Sequence, residues 1–420
     1  MADAPVENGA HHAQAGPWLS IVGIGEDGAA GLPPAARAAI EAAAFVHGGR
    51  RHLALARDLI RGEVCPWPSP FEAGVAAILA RRGQAVCVLA SGDPFLHGVG
   101  SVLARHVPAA EMRVIPAPSA FSLAAARLGW ALPDISTVSL HGKAIELVRP
   151  HLHPGRRILA LTSDGAGPRD IATLLVASGF GGSALHVLEA LGGADERVRR
   201  GTASGFALAD VGPLNVVGIE VVADEAARLV ALTPGRPDDL YEHDGQLTKR
   251  EIRAMTLAAL APRRGELLWD IGAGAGSIGI EWMLADSSLR AIGIEAQGER
   301  AARARRNAVT LGVPGLMIVE GKAPDALAGL PPPDAIFIGG GASAPGVLEA
   351  AEAALGFGGR LVVNAVTLET EALLLARHAA KGGDLVRIAV SRAAPVAGMT
   401  GWRPAMPVTQ WSWVKPGGAT

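Results

Sequence analysis

The chain has 420 residues, 49% of them apolar and 4% aromatic, with 54 glycines and a formal net charge of −2. That length exceeds what one hydrophobic core usually organises and implies two or three domains of ordinary α/β composition. The near-neutral charge lacks the basic footprint on which nucleic-acid binding rests, and no apolar run reaches the ~18 residues of a membrane span.

Residues 1–17 lack the charged-then-apolar layout of a signal peptide and read as a mobile tail on a cytoplasmic protein. The two cysteines, Cys65 and Cys87, read as buried thiols in a reducing compartment. A first strand, LSIVGIG, runs into Glu26-Asp27-Gly28, and a helix is predicted around 35–44 after Pro33-Pro34. The segment AFVHGG follows, then a proline-broken stretch at 66–70 and a helix around 73–82. The strand at 85–90 delivers SGDPFLHG, a turn with Gly92 and Gly98 on either side of Asp93 and a proline that fixes φ. A further strand at 112–116 leads into PAPSAFS, with Ser119 and Ala120, and then a helix, so that a second loop faces the first across a cleft. TVSLHGK, RILALTS, ALHVLEAL and LNVVGIEV complete this half, the last ending near Val221.

Residues 223–239 are charged and contain prolines without periodicity, which marks a linker. Beyond it Ile252, Met255, Ala259 and Leu260 share one face of a predicted helix, and Thr248 with Glu251 has capping-box spacing. LLWDIGAGAGSIGIEW, at 267–282, carries the clearest chemistry. Its strand closes at Asp270, Gly272, Gly274 and Gly276 form a turn that lets backbone approach a ligand, and Ser277 is placed to cap a helix. Counted from Gly272 the spacing is that of methyltransferases using S-adenosylmethionine; counted from Gly274 it satisfies the dinucleotide pattern. Glu295 ends the next strand, where a carboxylate suits the ribose of either ligand. Alternating strands and helices, then a last strand pair without a helix between, predict a seven-stranded doubly wound sheet. Arg300, Arg303, Arg305 and Arg306 read as a solvated helix face or a surface for acidic groups. The histidines show no metal-ligand spacing, so no metal site is expected. Residues 336–341, IFIGGG, lack the Asn/Asp-Pro-Pro-aromatic set of amine methylation.

Through GIGEDG, SGDPFLHG, PAPSAFS and SLHGK, residues 18–222 resemble the tetrapyrrole methylases, a two-lobed α/β family. The resemblance implies S-adenosylmethionine bound near Gly92, Asp93, Gly98, Ser119 and Ala120; many relatives carry serine where Ala120 stands. Through QLTKREIRA, DIGAGAGSIGIE, GKAPDAL and IFIGGG, the region 240–420 resembles the decarboxylating precorrin methyltransferases, a Rossmann-like methyltransferase fold. There the resemblance implies contacts from Thr248, Gly272, Ala273, Gly274, Ala275, Gly276, Glu295 and Ala323, with Lys322 standing where relatives often have an acidic residue. Both halves in this order resemble the bifunctional precorrin-6Y methyltransferase family of cobalamin biosynthesis. A precorrin substrate, two methylations at carbon-5 and carbon-15, loss of the ring-C acetate carboxyl and a homo-oligomer are the expectations. No nucleic acid and no membrane is expected as a partner. His243, Asp244 and Lys249 are the candidate proton donors. A nicotinamide-dependent precorrin reductase and an RNA methyltransferase stand as alternatives.

Overall fold

The structure, a computed structural model, describes residues 16–417. Of the tail expected over residues 1–17, residues 1–15, with His11 and His12, lie outside the described residues. The chain divides into two compact units. One ends at Lys143 and resumes over Gly155–Asp224, and the other comprises Ala144–Pro154 and the chain from Glu225 onward.

The first unit contains two five-stranded sheets. β1 (Leu19–Ile24), β2 (Phe45–Gly48), β3 (Glu63–Pro66), β4 (Val86–Ser91) and β5 (Met112–Ile115) are all parallel, in the order β3-β2-β4-β1-β5. Period-2 alternation explains why β1 is apolar almost throughout. Val22 and Ile24 pack with Ile40 and Leu53 on one face, while Leu19 and Ile21 pack with Val75 and Ile78 on the other. The second sheet is formed by β6 (Ser136–Ser139), β7 (Arg157–Leu161), β8 (Ala184–Glu189), β9 (Arg197–Thr202) and β10 (Asn215–Glu220), in the order β6-β7-β10-β8-β9. β9, RVRRGT, carries no apolar signature. It holds the sheet edge because Arg197 and Arg199 reach the buried Glu189 on β8, at 2.7 and 2.9 Å.

The second unit is built on β11 (Leu267–Ile271), β12 (Arg290–Glu295), β13 (Met317–Glu320), β14 (Ala335–Ile338), β15 (Arg360–Ala365), β16 (Asp384–Ile388) and β19 (Val408–Val414). These seven strands order as β13-β12-β11-β14-β15-β19-β16, all parallel except β19, which is antiparallel to both neighbours. Between β16 and β19 the chain forms a separate ribbon, β17 (Ser391–Val396) with β18 (Met399–Pro404), which the expected pair of closing strands did not include.

Residues 225–240 belong to this unit. Val230 joins its core, and the backbone N–H groups of Gly235 and Arg236 donate to the buried carboxylate of Glu281, at 2.7 and 3.0 Å. Arg253 and Tyr241 reach the same carboxylate, at 2.8 and 2.9 Å. The helix Arg250–Leu260 buries Ile252 and Leu260 of the expected apolar face and packs Ala259 against the core, but its inward side is wider than that face and leaves Met255 out. Arg253 and Thr256 are buried, while Met255 is 41% exposed.

Two expected helix caps are absent. The helix Arg250–Leu260 starts after Lys249 with no side-chain cap, and Thr248 instead offers its carbonyl oxygen to Arg253. The helix Ser277–Ala285 is preceded by Gly276 at φ 77°, so Ser277 lies inside the first turn and caps nothing. Cys87 is buried and its thiol is pushed up to about 12 by burial, whereas Cys65 is only half-buried, 3.3 Å from Arg81 Nη1.

Candidate functional site

Each unit carries a cavity at the carboxyl ends of its parallel strands, the edge at which open α/β sheets bind ligands. In the second unit the turn after β11 holds Gly272, Gly274 and Gly276 all in the left-handed region, at φ 74°, 55° and 77°. A Cβ at Gly272 would lie 2.9 Å from the Gly340 carbonyl oxygen, and one at Gly276 would lie 3.0 Å from Ala304 Cβ. At Gly274 it would meet nothing nearer than 3.9 Å, because that residue faces open space. Glu295, 6% exposed at the end of β12, ties the turn down: its two oxygens accept the N–H groups of Gly274 and Gln297, at 2.8 and 2.9 Å.

The cavity of about 940 Å³ around this turn gathers seven of the eight residues expected to contact the donor in this half. Thr248, Gly272, Ala273, Gly274, Ala275, Glu295 and Ala323 line it; Gly276 does not, being turned toward Ala304. Lys249, Arg300, Lys322 and Arg392 add positive charge to its lining, and Val366, Val390, Met406 and Val408 give it an apolar side. Asn364 and Arg392 had no mark in the sequence, since one lies in an apolar strand and the other on the unexpected ribbon.

Asp270 is enclosed beneath the turn, accepting the N–H of Gly279 at 3.0 Å. Burial, with a smaller contribution from the charge of Glu295, raises its carboxyl to about 7. Among the proposed proton donors only Lys249 lines the cavity. Asp244 accepts from Arg300 at 2.8 Å and faces Arg303 at 3.1 Å, and these contacts hold its carboxyl far below the usual range, so it is ionised and has no proton to give. The Nδ1 of His243 is occupied locally, by the N–H of Gly245 at 3.0 Å. The basic run is matched by acidic neighbours, Arg305 with Glu320 and Arg306 with Glu242, each at 2.7 Å.

In the first unit a smaller cavity of about 510 Å³ is lined by Asp93, Leu96, Ser119, Phe121, Ser122 and Thr137, among others. The loops after β4 and β5 are joined directly, Ala117 N–H donating to the Gly92 oxygen at 3.1 Å. Asp93 accepts the N–H of Phe95 at 2.8 Å. Ser119 caps the helix Ala120–Leu128 through the N–H of Ser122, at 3.1 Å. Gly92, Gly98 and Ala120 stand behind these residues and do not line the cavity. A Cβ at Gly98 would come within 2.5 Å of the Pro94 oxygen, so that glycine serves the turn.

Two known families match the chain, one over each half. The family described as Tetrapyrrole (Corrin/Porphyrin) Methylases matches residues 19–207, and that described as Precorrin methyltransferase domain matches residues 239–415. The curated protein "Precorrin-6Y C(5,15)-methyltransferase [decarboxylating]" from Sinorhizobium sp is 65% identical over 399 residues, covering 95% of this chain and 97% of the relative. The chain belongs to this precorrin-6Y C(5,15)-methyltransferase family. A relative of the same name from Mycobacterium tuberculosis (strain CDC 1551 / Oshkosh) is 42% identical, covering 94% of this chain and all of the relative. A solved C-terminal domain of precorrin-6Y C5,15-methyltransferase from Rhodobacter capsulatus is 49% identical, with 44% of this chain and 100% of that chain covered and a TM-score of 0.43. Membership of the family means that the chain is a methyltransferase and draws on a methyl donor, which excludes a nicotinamide-dependent reductase and an RNA methyltransferase.

Proposed function

We propose that the chain adds methyl groups to carbon-5 and carbon-15 of precorrin-6Y and removes the carboxyl of its ring-C acetate, with S-adenosylmethionine as donor at two sites. The single observation that carries this is the 65% identity, over 97% of its length, to a relative named for that reaction. The first cavity is assigned to carbon-5, and the second to decarboxylation and carbon-15.

The residues of the second cavity fit the donor. Gly274 leaves the backbone bare toward the open space, and each Glu295 oxygen, after accepting one N–H, keeps a lone pair for a ribose hydroxyl. S-adenosylmethionine supplies an electrophilic methyl group on a sulfonium. The remaining work belongs to the chain: binding, alignment and exclusion of water. Holding an electron-rich ring carbon in line with that group inside a closed cleft supplies ~7 to 11 kcal/mol of the barrier. Lys249, Arg300 and Lys322 provide charge opposite the acidic side chains of a precorrin. The apolar side formed by Val366, Val390, Met406 and Val408 offers an acetate carboxylate little solvation, which favours loss of carbon dioxide into the conjugated ring. In the first cavity Asp93, Ser119 and Ser122 are the polar groups available to the donor.

Incubation of the full chain with precorrin-6Y and methyl-labelled S-adenosylmethionine, followed by mass analysis, tests this. Two labelled methyl groups and loss of carbon dioxide are expected. A product that takes up no label sinks the assignment.

A further inference from the structure

The apolar side of the second cavity contains one polar side chain with a support behind it. Asn364, the penultimate residue of β15, directly opposes Gln410 on β19 in the antiparallel register. Its Nδ2 donates to Thr256 Oγ1 at 2.9 Å, and its Oδ1 accepts from Gln410 Nε2 at 2.9 Å. Gln410 Nε2 also lies 3.1 Å from Thr256 Oγ1, closing a ring of three side chains. Thr256 is fully buried and Gln410 is 5% exposed, whereas Asn364 lines the cavity beside Val366, Val390 and Val408.

Asn364 and Gln410 across β15 and β19, with Thr256 on the helix packed against them, add little net stability, since their hydrogen bonds replace bonds to water. What they do is fix an amide plane. Because Thr256 Oγ1 and Gln410 Nε2 lie only 3.1 Å apart, they occupy the amide edge on which N–H and lone pair run side by side, and Asn364 retains one N–H and one lone pair that diverge to either side of its Cβ. Sparse, fixed polar groups in an apolar pocket are what orient a ligand.

We propose that Asn364 holds the acceptor ring system in the second cavity through one hydrogen bond from its uncommitted amide groups to a ring nitrogen of the tetrapyrrole, and that Thr256 and Gln410 are the residues that position it. This rests on the methylase reading above. Asn364 orients the ring carbon toward the methyl donor, while donor binding depends on the glycine turn and Glu295 at the other side of the cavity.

The test uses the full chain, with precorrin-6Y and S-adenosylmethionine, and the unaltered chain is measured first. Asn364→Leu is expected to lower kcat for the carbon-15 methylation about 100-fold, the loss typical of a misplaced reacting group. The affinity for S-adenosylmethionine by calorimetry and the carbon-5 methylation are expected to be unchanged, so a singly methylated product accumulates. Thr256→Val is expected to lower the same kcat with the KM for the donor unaltered, and Thr256→Ser, which keeps the hydroxyl, to restore it. If Asn364→Leu unfolds, the Thr256 pair decides alone. Variants that lower only the melting temperature, or only donor affinity, overturn the role of Asn364 and leave the methylase reading standing. An unaltered chain that transfers no methyl group overturns the methylase reading and this role together.

Discussion

Gly274 and Asp270 show how differently two residues of one motif are constrained. A Cβ at Gly274 meets nothing nearer than 3.9 Å, so a side chain there starts into open space at the cost of the left-handed φ of 55°, roughly 1–2 kcal/mol. The carboxylate of a glutamate enters the space assigned to the donor. Gly274→Glu is therefore expected to remain folded, by circular dichroism and melting, and to lose one of the two donor sites by calorimetric titration. Asp270 makes a pH prediction. Its folded carboxyl, raised by burial to about 7, stands above the ordinary value of 3.8, so the native state holds the proton more tightly than the unfolded chain. The resulting stability is present below about pH 4 and is lost as the pH rises through about 7. Asp270→Asn keeps the shape and the acceptor for Gly279 without the buried charge. Its melting temperature is expected to exceed that of the unaltered chain above pH 7 and to converge with it near pH 4. A constant difference across that range would show that burial does not raise the carboxyl.

At the scale of elements, what the sequence reveals depends on how local the cause of the structure is. Most strands of the two largely parallel sheets, the glycine turn and Glu295 are legible because each is written in a short run of residues with period 2 or a fixed spacing, whereas the largely exposed β3 carries no such run and is not. The ribbon β17–β18 is not: its two-residue turn places Ala397 and Gly398 at φ 45° and 81°, a type I′ geometry that sequence signals associate with Asn-Gly or Asp-Gly. The residues of the Asn364 ring lie 46 and 108 positions apart from it and escape any local pattern. The stretch 223–239 reads as a linker for the same reason, because the order of Gly235 and Arg236 within it comes from Glu281, more than 40 residues downstream. That dependence is measurable. Glu281→Leu removes the carboxylate shared by the buried Arg236 and Arg253 and leaves Arg253 with the carboxylate of Asp238 alone, and removing one partner of a buried ion pair costs ~3–5 kcal/mol. Urea unfolding of the variant is expected to show that loss in the second unit, and protease cleavage to move to residues 225–240. A change below 1 kcal/mol would mean that the segment docks without the carboxylate.

At the scale of the molecule, the two cavities are assembled from separate stretches of chain. Every residue lining the first falls within 93–137, and every residue lining the second within 245–408. Among the described residues the two linings share no member, so damage to one is expected to leave the other complete. Ser122→Glu is suited to blocking the first: it puts a carboxylate into the cavity, while Ser119 keeps its bond to the backbone N–H of residue 122, and glutamate at that helix position favours a capping box. Gly274→Glu blocks the second. Each variant alone is expected to yield a singly methylated product, with decarboxylation lost only in Gly274→Glu. Mixed in one vessel, the two variants are expected to complete both methylations, because each supplies the site the other lacks and the intermediate can pass through solution. Full conversion by the unaltered chain but none by the mixture would show that the intermediate never leaves the protein. Loss of both methylations in either folded variant would show instead that the sites do not act separately.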